Sequence, residues 1–382
     1  MEKKYKKSVT LETFILLAIF GLFFGYIGHV MGMGNLFNTL MKTAHDLLLN
    51  TVFFIMGIAI LAGAIAAVLS EFGVIDLINR MITPIMRPLY NLPGAAALGI
   101  ITTFLSDNPA IIGLAHDKSF AKYFKNYELP ALCNLGTAFG MGLVVWTFMA
   151  SQGNGTEFFK AAGIGLLGAV AGSIVSVRIM MHFTKKYYAG EQESDCENST
   201  EIRQREVREG SAFGRALEAA LDGGKNGVNM GLAIMPGVVI VCTLVMILTI
   251  KPQVDSTGAM IFSGGAYEGI GLVPRLGEKL MFIIRPLFGI QSPEAIAFPL
   301  TALGAVGAAM GMVPRFIQNG VMGGNEIAVF TAMGMCWSGY LSTHIAMMDA
   351  LGVRKLSNKA ILSHTIGGFF AGIAAHFIYL LL

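Results

Sequence analysis

The sequence predicts an all-α integral membrane protein made of two inverted repeats, each with an interfacial helix, a re-entrant helical hairpin and broken transmembrane helices. Three observations predict it. The composition is 54% hydrophobic and only 13% charged over 382 residues, with 47 glycines. An apolar run over residues 94–116 is long enough to cross a membrane yet is interrupted by Ser106, Asp107, Asn108 and Pro109. The positive charges are placed so that both ends of this run fall on one side of the bilayer.

Composition alone removes several classes. The apolar runs reach the ~20 residues that a helix rising ~1.5 Å per residue needs to cross the hydrocarbon core, and no soluble domain of ordinary size is left over. Cys133, Cys196, Cys242 and Cys336 are scattered singly, with no histidine cluster at ligand spacing, so neither a disulfide framework nor a metal centre is indicated. No nucleophile–base constellation points to an enzyme, no cofactor is expected, and nothing points to nucleic acid. The net charge of +3 says little, because in a membrane protein the placement of the lysines and arginines carries the information.

In chain order, residues 1–44 form an N-terminal transmembrane helix and a connector. Four lysines precede the apolar run 11–31, and no small-residue cleavage pattern follows it, so an uncleaved helix is expected. Residues 45–183 form a first repeat with apolar segments over 51–70, 94–116, 128–150 and 158–183. Residues 184–225 are polar and hold Arg203, Arg205 and Arg208, the composition of a cytoplasmic linker. Residues 226–382 form a second repeat, with segments over 227–250, 293–318, 325–351 and 360–382.

The excess of lysine and arginine fixes the expected topology. Lys3, Lys4, Lys6 and Lys7 put the N-terminus in the cytoplasm, and the second helix returns there with Arg80 and Arg87. Counting back from the linker places Lys118, Lys122 and Lys125 inside as well, so residues 94–116 start and end on the same side. The segment is therefore a hairpin with its tip at Ser106–Pro109. Counting from Arg354, Lys355 and Lys359 makes 293–318 a second hairpin entering from the opposite side. A repeat register of 205 lays Gly99 and Pro109 on Gly304 and Pro314, and puts the second tip at Met312-Val313-Pro314-Arg315. Inverted repeats with paired broken elements are the architecture of secondary transporters, whose site lies near the midplane.

The order of interfacial helix, hairpin and two helices, repeated inverted, resembles the concentrative nucleoside transporter fold and its Gate-domain relatives. These relatives include the membrane parts of bacterial ferrous-iron permeases and spore-maturation membrane proteins. Leu105-Ser106-Asp107-Asn108-Pro109-Ala110 is similar to the Gln-Thr-Glu-Ala-Pro run at the transporters' first hairpin tip, with Ser106 and Asp107 where Thr and Glu stand. Cys336-Trp337-Ser338-Gly339-Tyr340-Leu341-Ser342-Thr343 resembles their Cys-Gly-Phe-Ala-Asn-Phe-Ser-Ser run but lacks the ribose-binding Asn. Asn325-Glu326-Ile327-Ala328 resembles the Asn-Glu-Phe-Val-Ala run of the second hairpin, yet falls after the hairpin here.

The resemblance implies elevator-type, alternating-access transport of a small polar solute, nucleoside-like or a small organic anion, with Na+ or H+ coupling left open. The alternative is a Gate-domain module without ion coupling, acting as a channel or signalling component of a larger assembly. The candidate substrate-binding residues are Ser106, Asp107, Asn108, Asn134, Thr137, Arg315, Ser338, Ser342 and Thr343. Asp107 is open to two roles, ligand or proton site and structural cap. Arg315 is open to two as well, a clamp for an anion and an ion-pair partner of Asp107, the pair being favoured because unpaired charge at that depth is costly. Gly136, Gly140, Gly142, Gly334 and Gly339 fit close helix contacts, and His344, His364 and His376 fit interhelical hydrogen bonds. The expected location is the inner (cytoplasmic) membrane, multi-pass, with the bilayer, the solute and, as an open alternative, further copies of the same chain as partners.

Overall fold

The computed structural model of the protein describes residues 7–116, 118–153, 155–189 and 207–382. Lys3, Lys4, Lys6, Cys196, Arg203 and Arg205 lie outside these residues. Helix α1, Leu11–Met31, is apolar around its circumference and exposed along most of its length, as a lipid-facing span is. Gly32, at φ 83°, turns the chain into α2, Met33–Glu71, a 39-residue helix with a π-helical stretch at Leu47–Val52. Gly73 turns it again into the amphipathic interfacial helix α3, Val74–Tyr90. Helices α4, Ala96–Leu105, and α5, Pro109–His116, pack on each other as the first hairpin. Helices α6, Ala131–Thr137, and α7, Gly142–Ala150, are the halves of one broken span, and α8, Glu157–Tyr187, closes the first repeat.

The second repeat has the same parts. Helix α9, Ala212–Thr249, carries its own π-helical stretch at Gly237–Cys242. A two-stranded antiparallel ribbon follows, β1 Gln253–Val254 against β2 Met260–Ile261, the one departure from all-α structure among the described residues. Helices α10, Leu272–Glu278, and α11, Met281–Phe288, precede the second hairpin. That hairpin runs through a 3-10 turn at Pro293–Ile296, α12 Ala297–Ala302, α13 Val306–Met310 and α14 Val313–Gln318. The second broken span is α15, Gly324–Cys336, with α16, Tyr340–Ala350, and α17, Ser357–Leu381, ends the chain.

The halves are inverted, and glycine contacts make this visible. A Cβ on Gly63 would lie 2.4 Å from the Gly223 carbonyl oxygen, and one on Gly227 would lie 2.4 Å from that of Ala59. Ascending α9 therefore means descending α2, so the equivalent helices are antiparallel and touch backbone to backbone, which residues with a side chain would prevent. Helices α8 and α17 repeat the pattern, Gly172 meeting the Gly367 carbonyl and Gly168 that of Ala371. The two π-helical stretches pack on one another.

Two sequence expectations need correction. Helix α9 begins at Ala212, within the stretch 184–225 read as linker, because Ser211 caps it by accepting the Gly214 N–H at 3.2 Å and Gly223 is needed against α2. Arg208 then donates to buried Glu71 at 2.9 Å, which ties the end of the polar stretch to the end of α2. The second hairpin turns at Leu303-Gly304-Ala305, not at Met312–Arg315. A Cβ on Gly304 would meet only the Thr301 carbonyl oxygen, at an ordinary 3.6 Å, and Ala305 is extended (φ −161°), so small residues reverse the chain without a proline. Pro314 lies in the first turn of α14, where its missing N–H costs nothing, so the arm continues through it.

The register of 205 fails with that tip. The Arg-Pro-Leu runs at 87–89 and 285–287 and the acids Glu128 and Glu326 give another: 285 minus 87 and 326 minus 128 both equal 198. Each acid folds back at the entry to its broken span. Glu128 accepts the Lys125 N–H at 2.9 Å, and Glu326 accepts the Gly323 N–H at 3.0 Å. Glu128 also holds Arg87 of the interfacial helix at 2.8 Å.

Candidate functional site

Both hairpin tips and both helix breaks converge on one cavity of about 230 Å³. The first tip contributes Asp107 and Asn108, the first break Met141, and the second break Ser338, Gly339 and Thr343. The opposite wall is Ala233, Ile234 and Gly237 of α9 together with residues 304–308 of the second hairpin. Helices stop here for different reasons. In the first break Met141 takes φ 53°, a conformation rare for a bulky residue and a form of strain that clusters at functional sites. In the second, Trp337, Ser338 and Gly339 interrupt the ladder between α15 and α16.

Asn108 is the keystone of the polar side. Its side chain is 2% exposed and lies between the two breaks: a Cβ on Gly140 would fall 2.0 Å from Asn108 Oδ1, and one on Gly339 2.3 Å from Asn108 Nδ2. Asn108 Nδ2 donates to Ser338 Oγ at 3.2 Å and to Asp107 Oδ1 at 3.0 Å, and the Asn108 backbone N–H donates to the same carboxylate oxygen at 2.7 Å. One amide thus binds the first tip to the second half and orients Asp107. The glycines of the first broken span seat this hairpin along its length: Gly136 faces Ile111, Gly140 faces Asn108 and Gly142 faces Phe104. Gly334 does the same for the second hairpin, facing Val306 and Phe298.

Of the nine residues singled out in the sequence, Asp107, Asn108, Ser338 and Thr343 line the cavity. Ser106 turns away and donates to the Thr102 carbonyl at 2.6 Å, ending α4. Asn134 and Thr137 are fully buried behind the cavity. Asn134 Nδ2 donates to Ser176 Oγ and to the Ala360 carbonyl, both at 3.0 Å, and Thr137 Oγ1 donates to the Cys133 carbonyl. Asn134 thus holds α6 against α8 and α17, and Thr137 lies 3.5 Å from His344 Nε2 of α16. Ser342 is on α16, and its side chain lies outside the description.

Arg315 is on the second arm of hairpin two, away from Asp107. Its guanidinium sits 5.4 Å from the centroid of Tyr267, because the tip lies earlier in the chain, at 303–305, than the register of 205 placed it. Neither expected role for Arg315, anion clamp or partner of Asp107, has support in the geometry. The histidines make interhelical hydrogen bonds: His364 joins Ser176 Oγ at 2.9 Å and the Cys336 carbonyl, His344 reaches Thr137 Oγ1 of α6 at 3.5 Å besides the Tyr340 carbonyl of its own helix, and His376 joins Asn325 Oδ1 at 2.7 Å.

The sequence reading missed the apolar wall, Ala233, Ile234, Gly237 and residues 304–308. A signal for it existed, since the register of 198 carries the first tip, 106–108, onto 304–306. Among the described residues no lysine, arginine or histidine lines the cavity, so its one formal charge is the Asp107 carboxylate.

The fold and this site define a class: inverted-repeat membrane proteins in which two re-entrant hairpins and two helix breaks enclose a central cavity. Residues 52–187 match the Gate family, described as nucleoside recognition. Over most of its length the chain is similar in fold to CNTnw, a concentrative nucleoside transporter. Against CNTnw in an inward-facing substrate-bound state the TM-score is 0.51 at 15% identity, with 96% of this chain and 87% of the other covered. Against a doubly substituted CNTnw in an outward-facing state it is 0.52 at 14% identity, covering 97% and 85%. A second outward-facing variant gives 0.50 at 12%, covering 98% and 88%. No curated protein matches the chain.

Proposed function

We propose that the protein carries a small, uncharged or cationic polar solute of nucleoside-like size across the membrane by alternating access, with no catalytic step. The observation that carries this reading is the cavity itself, closed by both hairpin tips and both helix breaks, the place where transporters of inverted-repeat design hold their cargo. The fold shared with CNTnw in inward-facing and outward-facing states supports the mechanism.

The charge of the cavity selects the solute. A carboxylate, a carboxamide and two hydroxyls on one wall suit hydroxyl, amide or amine donors, and an organic anion would meet Asp107 without a compensating cation. The facing wall, of Ala, Ile, Gly and Val, suits the flat or apolar part of the same molecule. In this reading the N-terminus and the polar stretch before Ala212 face the cytoplasm, and the chain resides in the inner membrane.

The experiment is a melting-temperature screen of purified protein against nucleosides, free bases, amino acids and carboxylates, followed by uptake of any hit into proteoliposomes. A ligand at about one hundred times its Kd adds about 2.7 kcal/mol to the native state, which such a screen detects. Stabilisation by carboxylates alone, or a hit that binds without uptake, would overturn the reading.

A further inference from the structure

Arg315, which the central site does not use, marks a second functional contact. Its guanidinium lies over the ring of Tyr267, and its remaining bonds are weak: a terminal nitrogen reaches Gln318 Oε1 at 3.4 Å, and its buried Nε has no hydrogen-bond partner. The ring face is therefore its principal partner. Tyr267 is held in place from the other side. Its backbone N–H donates to Thr43 Oγ1 at 2.8 Å and its phenol to Asp46 Oδ2 at 2.6 Å, both on α2. Lys42 Nζ donates to the Gly264 carbonyl at 2.8 Å, and Asn35 Nδ2 to that of Phe262 at 3.1 Å, so the loop before α10 is fastened to α2 at four points. The fastening also maintains Tyr267 at φ 60°, which bulky residues rarely adopt. Burial, with the Asp46 carboxylate alongside, pushes the phenol above its usual titration range, so it remains a donor at neutral pH.

The contact is thus firm on the α2 side and light on the hairpin side. It joins two bodies that alternating access must separate: α2, antiparallel to α9 at the glycine seam, and the arm that begins at the cavity wall with Val306 and reaches Arg315 two short helices later. We propose that the Asp46–Tyr267–Arg315 stack is a releasable latch that holds the second hairpin closed over the cavity and sets the fraction of molecules in which that hairpin is open. This rests on the alternating-access reading above. A cation over an aromatic face shifts an equilibrium by about twofold to thirtyfold, enough to bias such a movement without blocking it.

The test uses a variant with its native cysteines replaced and Ala305→Cys at the hairpin tip, labelled by a small thiol reagent with no solute present. Arg315→Met and Tyr267→Leu should each raise the labelling rate by about threefold to tenfold, and the double variant should rise no further than either alone, since both remove one stack. Arg315→Lys, which keeps a cation, and Tyr267→Phe, which keeps the ring, should fall between these and the parent, and they serve where the larger changes impair folding. Unchanged labelling, additive effects, or an equal rise for Arg315→Lys and Arg315→Met would overturn the latch. The assay needs no solute, so a parent protein that transports nothing would sink the transport reading while leaving the labelling result to stand or fall alone.

Discussion

The two hairpins occupy equivalent places in inverted halves, yet they close the cavity with opposite chemistry. The first turns at Ser106-Asp107-Asn108 and brings a carboxylate and a carboxamide; the second turns at Leu303-Gly304-Ala305 and brings methyl groups and bare backbone. The first is locked to the other half through the Asn108 amide, whereas the second is held at its far end through the Arg315 guanidinium. The difference teaches that a shared scaffold can carry unlike tips: under the proposed function the first hairpin recognises the solute and the second covers it.

The largest expected effect concerns the opposite entry of the two hairpins. In a cysteine-free background, Asn91→Cys and Asn126→Cys, at the two ends of the first hairpin, should react with an impermeant thiol reagent from one side of the membrane only. Gln291→Cys and Asn319→Cys, flanking the second, should react from the other side only. Labelling of Asn91→Cys and Asn126→Cys from different sides would end the comparison.

Next comes the division of labour. Asp107→Asn should abolish the stabilisation that a bound solute gives, about 2.7 kcal/mol at one hundred times Kd, while the melting temperature without solute changes little. Ala305→Gly on the facing wall should keep most of that gain. Equal losses at the two tips in ligand-dependent melting would show that recognition is shared.

The seat of Asn108 should respond as a unit. Gly140→Ala and Gly339→Ala each push a methyl into the space of the same amide and should destabilise by about 1–3 kcal/mol, the usual range for overpacking. Because either change expels the one side chain, the double variant should cost clearly less than the sum, as read by chemical or thermal unfolding. Full additivity would mean that Asn108 does not bridge the breaks.

The smallest effects test what the geometry separates. Asp107 and Arg315 share no partner, so a double-mutant cycle with Asp107→Asn and Arg315→Gln should give a coupling within about 0.5 kcal/mol. Gly304→Ala, whose Cβ would meet nothing nearer than the Thr301 carbonyl at 3.6 Å, should leave stability within about 0.5 kcal/mol of the parent.

The same contrast explains what was legible in the sequence. The first hairpin announces itself because Ser106, Asp107, Asn108 and Pro109 are expensive inside an apolar run, and polarity is easily seen. The second tip is invisible to that test, since Gly304 and Ala305 reverse the chain at no cost in polarity. Pro314 drew attention to the wrong turn because a proline starting a short helix and one ending a helix look alike in a single sequence. Arg-Pro-Leu and the paired acids Glu128 and Glu326 mark the true register, because they stand in the last turn of equivalent interfacial helices and at the entries to equivalent broken spans. Asn134 and Thr137 read from sequence as cavity-facing but are buried against protein, since polarity says that a partner is needed and not whether that partner is solute or protein.

The glycine seams carry a further consequence for how the chain can be made. Helix α2 is matched with α9, and α8 with α17, so each principal contact joins a segment before residue 190 to one after residue 206. Each half packs its hairpin on its own broken span, but its longest helix contacts, those of α2 and α8, are made with α9 and α17 of the other half. Severed in the polar stretch and synthesised as two polypeptides in one cell, the halves would have to find each other to persist, as subunits of an obligate heterodimer do.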